Sequence, residues 1–291
     1  MKQLFLSMVL LLGLVACSND NEISPVNEKG HEVVFNVSTL DVSVEPMSRA
    51  TSPASDVLTN ISYCVKNTVT KKVYEGTQSL TNAGSNFGII KLWLPLGNYE
   101  ATFFGYGEKN VNGSARMYYD DDYNSLWVDV KNKDSFIKTE EVTIEQDMTN
   151  IDMNLTRLNG ALVVRLTDEI PTDIGKIEIN LGYFPKWSVY DEQAYYEGND
   201  GLTTKFTDEL TISNSLVDEY VYYVLPQTNR SVNFTIYDKA GAKLGSTSVR
   251  VDFYQNRRTI VSGNLLDIIS QKPFSITVTD DWEDDVVIPL Q

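Results

Sequence analysis

The stretch His31–Ser38, HEVVFNVS, decides the fold of this chain. Val33, Phe35 and Val37 stand two residues apart, so in an extended backbone their side chains share one face. The same period returns at Tyr99, Ala101 and Phe103, at Val142 and Ile144, and at Ile151, Met153 and Leu155. Turn-forming runs separate these segments: LPLGN before Tyr99, GYGEKNVNG at 105–113, and EQDMTN before Ile151. No helical stretch of about 12 or more residues interrupts them. This spacing predicts an antiparallel β-sandwich.

A second series starts after TRLNG. Leu162, Val164 and Leu166 alternate, as do Ile177, Ile179 and Leu181, and Val232, Phe234 and Ile236 answer Val249, Val251 and Phe253 across the hairpin-like run YDKAGAKLGSTS. The seam falls at Arg157–Gly160, which divides the body into residues 30–156 and 157–291. The two halves share their strand pattern, but no exact repeat aligns. Near the C-terminus Val286, Ile288 and Leu290 form a short apolar comb, and Pro289 removes one backbone donor, as suits an edge or exchanged strand.

Composition agrees with an all-β chain. Its 291 residues suit two domains, 42% apolar and 22% charged residues are a globular mix, and 11% aromatics, with 16 tyrosines, favour strands. The formal net charge is −16 and no Lys or Arg block is present, so nucleic acid is excluded as a partner. The acidity suits an exported protein kept soluble by its surface.

The first residues, MKQLFLSMVLLLGLVACSNDNE, carry one early Lys2, an apolar run from Leu4 to Ala16 and an abrupt polar exit. That run is too short to span a bilayer and fits an export signal, residues 1–16. LVAC resembles a bacterial lipobox, which implies lipidation of Cys17 and several acyl chains holding the protein stably to a membrane. Residues 17–29 then read as a flexible tether. The Ser and acidic residues after Cys17 resemble a surface-export signal, which implies the outer face of an outer membrane. With Cys17 acylated, Cys64 is the only remaining thiol; no intrachain disulfide can form, and its strand-like setting ISYCVKN predicts a buried, inert side chain.

Enzyme chemistry finds little support. The only histidine, His31, sits at the tether, which removes histidine-based nucleophilic catalysis and leaves too few ligands for zinc. No spacing singles out a glycosidase carboxylate pair. DDDYNSLWVDVK places Asp120, Asp122 and Asn124 like the start of a calcium loop, but Ser125 and Lys131 stand where the glycine and the bidentate glutamate belong. No metal or cofactor is implied. Between Tyr183 and Tyr196 the rings of Tyr183, Phe184, Trp187, Tyr190, Tyr195 and Tyr196 crowd together. Exposed, they could stack on a glycan or anchor a host protein; turned inward, they would plug one end of a sandwich.

One arginine, Arg49, stands in a polar run between Pro46 and Pro53, a setting that keeps it extended and open to a protease. With the lipobox, HEVVFNVS, PMSRATS, LPLGNYEATFFGYG, NLTRLNGALVVRL and the closing NRRTIVSGNLL and FSITVTDDW, the chain resembles the fimbrillin family of type V pilus subunits over nearly its whole length. That resemblance implies two tandem transthyretin-like β-sandwiches, lipoprotein export and Arg-specific cutting, here between Arg49 and Ala50. The cut would release the strand bearing Val33, Phe35 and Val37. The empty slot would take a strand from another copy or a related fimbrial subunit, for which the comb Val286, Ile288 and Leu290 has the matching period. Cleaved, the protein would sit in a fimbrium and serve adhesion. Uncleaved, it would remain a surface lipoprotein, either a pilus anchor or a glycan-binding module.

Overall fold

The computed structural model describes residues 30–40, 51–107, 113–146, 150–168, 170–183, 185–195, 205–211, 219–270 and 275–279. Strand β1 (His31–Leu40) lies in the middle of one layer. On one side it runs parallel to β10 (Asn150–Arg157), from Val34 opposite Asn150 to Thr39 opposite Leu155. On the other it pairs antiparallel with β5 (Ile89–Leu94) along His31–Asn36, and then with β2 (Thr51–Pro53) along Ser38–Leu40. The facing layer is β4 (Val73–Ser79), β3 (Asn60–Asn67), β6 (Gly97–Tyr106) and β9 (Ser135–Ile144), in that order and antiparallel throughout. At the corner β10 changes layers, its Thr156 and Arg157 pairing with Ile137 and Phe136 of β9.

Alternation fills the space between the layers. Val33, Phe35 and Val37 meet Met153 and Leu155 from β10, Ile90 and Leu94 from β5, and Ile61, Val65, Tyr99, Ala101 and Phe103 from the facing layer. The Phe35 and Phe103 rings lie 5.0 Å apart, tilted by 40°, within the range where aromatic pairs attract.

The second half repeats this wiring. One layer is β16 (Glu219–Val224), β11 (Gly160–Leu166), β19 (Arg258–Gly263) and β20 (Ser275–Thr279), with β11 parallel to β19. The other is β15 (Lys205–Thr211), β12 (Ile174–Tyr183), β17 (Gln227–Asp238) and β18 (Lys243–Phe253). Leu162, Val164, Ile177, Ile179, Val232, Phe234, Ile236 and Val251 lie in the core between them. Strand for strand, β5-β1-β10 corresponds to β16-β11-β19, and β4-β3-β6-β9 to β15-β12-β17-β18. The all-β class is therefore as expected. Pairing is antiparallel except in the β1–β10 and β11–β19 ladders, where the first strand of each sandwich lies beside a late one.

Two insertions break the repeat and join each other. The hairpin of β7 (Ser114–Asp120) and β8 (Ser125–Lys131) leaves the first sandwich between β6 and β9. A second hairpin, β13 (Lys186–Ser188) and β14 (Gln193–Tyr195), leaves the other between β12 and β15. β13 pairs with β8, Trp187 opposite Val128, so the insertions make one sheet in the order β14-β13-β8-β7. Its inner face shares a third core with Cys64, Phe104, Leu158 and Leu225. At the seam Arg157 grips Asp134 through two bonds of 2.7 and 3.1 Å and reaches Asn256 Oδ1 at 3.2 Å.

Candidate functional site

Of the residues expected to act in assembly, Val33, Phe35 and Val37 lie on β1. Val33 and Phe35 are 0% exposed and Val37 6%, while the opposite face carries polar pairs: Asn36 donates to Asp152 Oδ1, Ser38 to Asn154 Oδ1, and Lys91 meets Glu32 at 3.1 Å. Burying such side chains stabilises by roughly 1.5–3 kcal/mol each. The strand is thus a plug with a greasy underside and a wet outer face. Its last inward position is weaker. Thr39 is buried there, and its hydroxyl has no hydrogen-bond partner among the described residues.

Sequence reading missed two supports of this plug. β5 has no other ladder partner than β1 among the described residues, although Ile90, Leu92 and Leu94 carry the same two-residue period. Gly88, just before β5, has φ +89° and lies so close to β1 that an added Cβ would stand 2.8 Å from the Val37 carbonyl oxygen. Its own carbonyl accepts from the Val37 N–H at 2.7 Å. Only glycine combines that backbone angle with that approach.

Cys17, Arg49, Ala50, Val286, Ile288 and Leu290 lie outside the described residues, as do Phe184 and Tyr196. What surrounds the expected cut is described: residues 41–50 connect β1 to β2, two strands that are hydrogen-bonded neighbours, and β2 begins at Thr51. The aromatic stretch does not form one exposed patch. Trp187 is 9% exposed and belongs to the third core, Tyr190 is half-buried at its edge, and Tyr195 is exposed with its ring edge-on to Trp127 at 5.5 Å. Tyr183 ends β12, away from these in the pairing order. Among the described residues no group of three or more His, Cys, Asp or Glu side chains is placed to hold a metal.

The architecture is shared with solved proteins. A proposed adhesin of Bacteroides thetaiotaomicron superposes with a TM-score of 0.54 at 14% identity, covering 88% of this chain and 98% of that one. A proposed adhesin of Bacteroides ovatus gives 0.51 at 9% identity over 94% and 95%. The tip fimbrial protein Mfa3 of Porphyromonas gingivalis is a looser likeness, 0.44 at 13% identity over 87% and 100%, too loose to bear on function. The fold is therefore the one that the fimbrillin resemblance implies. No curated protein matches the sequence. Residues 92–291 match a family described as one of unknown function, DUF6562, and with more than half its length inside that match the chain belongs to the DUF6562 family.

Proposed function

We propose that this chain is a structural subunit of a fimbrium. It is exported as a lipoprotein on Cys17 to the outer face of the outer membrane, cut between Arg49 and Ala50, and built into the fibre by strand exchange in the service of adhesion. The observation that carries this reading is the position of β1: central in its layer, buried through Val33, Phe35 and Val37, and joined to the body through the segment that contains Arg49. Removing it opens a slot ten residues long, about 33 Å at 3.3 Å per residue, with unpaired ladder groups on β10 and β5. An extended segment of another copy restores both ladders and supplies side chains to alternate pockets. Val286, Ile288 and Leu290 have the period to do so. Slot and tail are different surfaces, so the contact is head-to-tail and propagates without closing. Adhesins of the same fold fit a surface role for this chain.

The test is digestion of the folded chain, leader omitted and Cys17→Ser, with an Arg-specific protease. N-terminal sequencing is expected to return Ala50, and size-exclusion chromatography a ladder of multimers. A chain cut at Arg49 that stays monomeric and takes up no peptide of residues 280–291 would remove the mechanism.

A further inference from the structure

A cleft runs between the outer face of β3, β4 and β6 and the sheet built by the insertions. Two cavities open along it, of 310 and 220 Å³. Alternate residues of β3 floor them in turn: Ser62 and Cys64 line the larger, and Lys66 the smaller, with Thr68 of the following turn beside it. Tyr119 stands between them. It lines the larger cavity, its ring centre lies 5.1 Å from Lys66 Nζ, and its hydroxyl donates to Asn124 Oδ1, which lines the smaller. Ser62 to Lys66 spans about 13 Å at 3.3 Å per residue.

The smaller cavity holds an unfinished charge arrangement. Lys66 is 7% exposed, and Glu100 is its cross-strand partner, yet the two heads form no contact within 4 Å. An ammonium has three donors, and one of these goes to Asn124 Oδ1 at 2.8 Å. The Tyr119 and Tyr190 rings flank the Nζ at 5.1 and 5.4 Å. Lys71 brings a second cation to the same walls. The Tyr190 hydroxyl is buried and closes no hydrogen bond of standard length; burial first, and the facing Glu100 carboxylate second, hold it well above the usual tyrosine range. Buried cations normally meet an anion or a full set of acceptors, and among the described residues Lys66 has neither.

We propose that this cleft binds an acidic polysaccharide. The carboxylate of one sugar unit sits on Lys66 and Lys71, its hydroxyls exchange hydrogen bonds with Glu100, Asn124 and Tyr190, and a neighbouring unit occupies the larger cavity beside Tyr118 and Tyr119. Aromatic faces mixed with a carboxylate, an amide and hydroxyls suit a polyhydroxylated ring. An acidic peptide fits worse, because it carries no row of hydroxyls to exchange hydrogen bonds with Glu100, Asn124 and Tyr190. The proposal deepens the adhesion reading and is independent of strand exchange, because the cleft is complete with β1 in place.

The test is calorimetric titration of the uncut chain with trimers of galacturonate and of mannuronate, with their carboxyl-reduced counterparts, and with triglutamate. Saturable binding of at least one uronate trimer is expected, about tenfold or more tighter than its reduced form. Lys66→Met and Tyr190→Phe are expected to weaken it. Lys71→Gln, on an exposed turn, is expected to do so by about tenfold with an unchanged Tm. No binding, equal binding of the reduced trimer, or tighter binding of triglutamate would overturn the assignment. Because the uncut monomer is used, failure to polymerise leaves this result untouched.

Discussion

Cys64 illustrates how much one position inherits from its neighbours. On the outer face of β3 it would be open to solvent in a lone sandwich, but the inserted sheet covers it, and Phe104, Leu126 and Val128 share its cluster. Burial pushes its thiol up to about 12, with the Glu75 and Glu100 carboxylates adding to the rise and Lys66 opposing it. Two consequences follow from that direction. At pH 8 the folded chain is expected to react with a thiol-specific disulfide reagent far more slowly than the denatured protein, because so little of the folded thiol is thiolate. A folded value above the unfolded 9.0 also means that the neutral thiol's contribution is intact below pH 9 and lost as pH climbs towards 12. Thermal melts from pH 8 to 11 are expected to fall in Tm, less steeply for Cys64→Ala. Some fall remains in that variant, because burial also raises Tyr223 to about 12. The sequence already placed Cys64 on a strand as an inert buried thiol. The burial of Lys66, two residues on, was not legible, since it depends on Asn124 and Tyr190 arriving from the two insertions.

At the scale of the element, the proposed assembly requires β1 to be held firmly enough to fold the monomer and loosely enough to leave it. Ladders on both sides and three inward apolar side chains do the holding. The loosening point is Thr39, whose buried, unpaired hydroxyl costs about 1–3 kcal/mol. Opposite shifts in retention of the cut strand are therefore expected. Phe35→Ala empties a core position facing Phe103, lowers stability by about 3–5 kcal/mol and speeds replacement of the nicked strand by a labelled peptide of residues 280–291. Thr39→Val removes the orphan hydroxyl and slows that replacement. Equal exchange rates in both variants would mean that release is governed elsewhere. The two-residue period at Val33, Phe35 and Val37 revealed which face is buried, because one strand's alternation is local. That β1 is central, parallel to β10 and the sole ladder partner of β5 among the described residues was hidden, because the β10 ladder joins residues 116 apart in the chain and the β5 ladder residues 53 to 63 apart.

Across the whole molecule, two sandwiches of the same strand order have been sewn together by their own insertions. The repeat escapes sequence comparison because a sandwich core needs only alternation and approximate volume, so equivalent strands such as HEVVFNVS and GALVVRL keep a period but few common residues. The sequence reading divides the halves at Arg157–Gly160; the clamp formed there was not legible. Arg157 and Asp134 are a buried bidentate pair, Asn159 donates to the Lys133 carbonyl at 2.6 Å, and Trp187 from the second half enters a core with Phe104 and Val128 from the first. In the fibre proposed above such a joint would carry tension, because a hinge between sandwiches would yield before exchanged strands did. The uncut chain is therefore expected to melt in calorimetry as one transition. Trp187→Ala removes the largest side chain of the shared core, about 3–5 kcal/mol, and is expected to separate the melt into two transitions. Asp134→Ala strands Arg157 as a buried charge and is expected to cost a similar amount while lowering both. Two transitions in the unaltered chain would mean that the inserted sheet only covers the sandwiches and does not couple them.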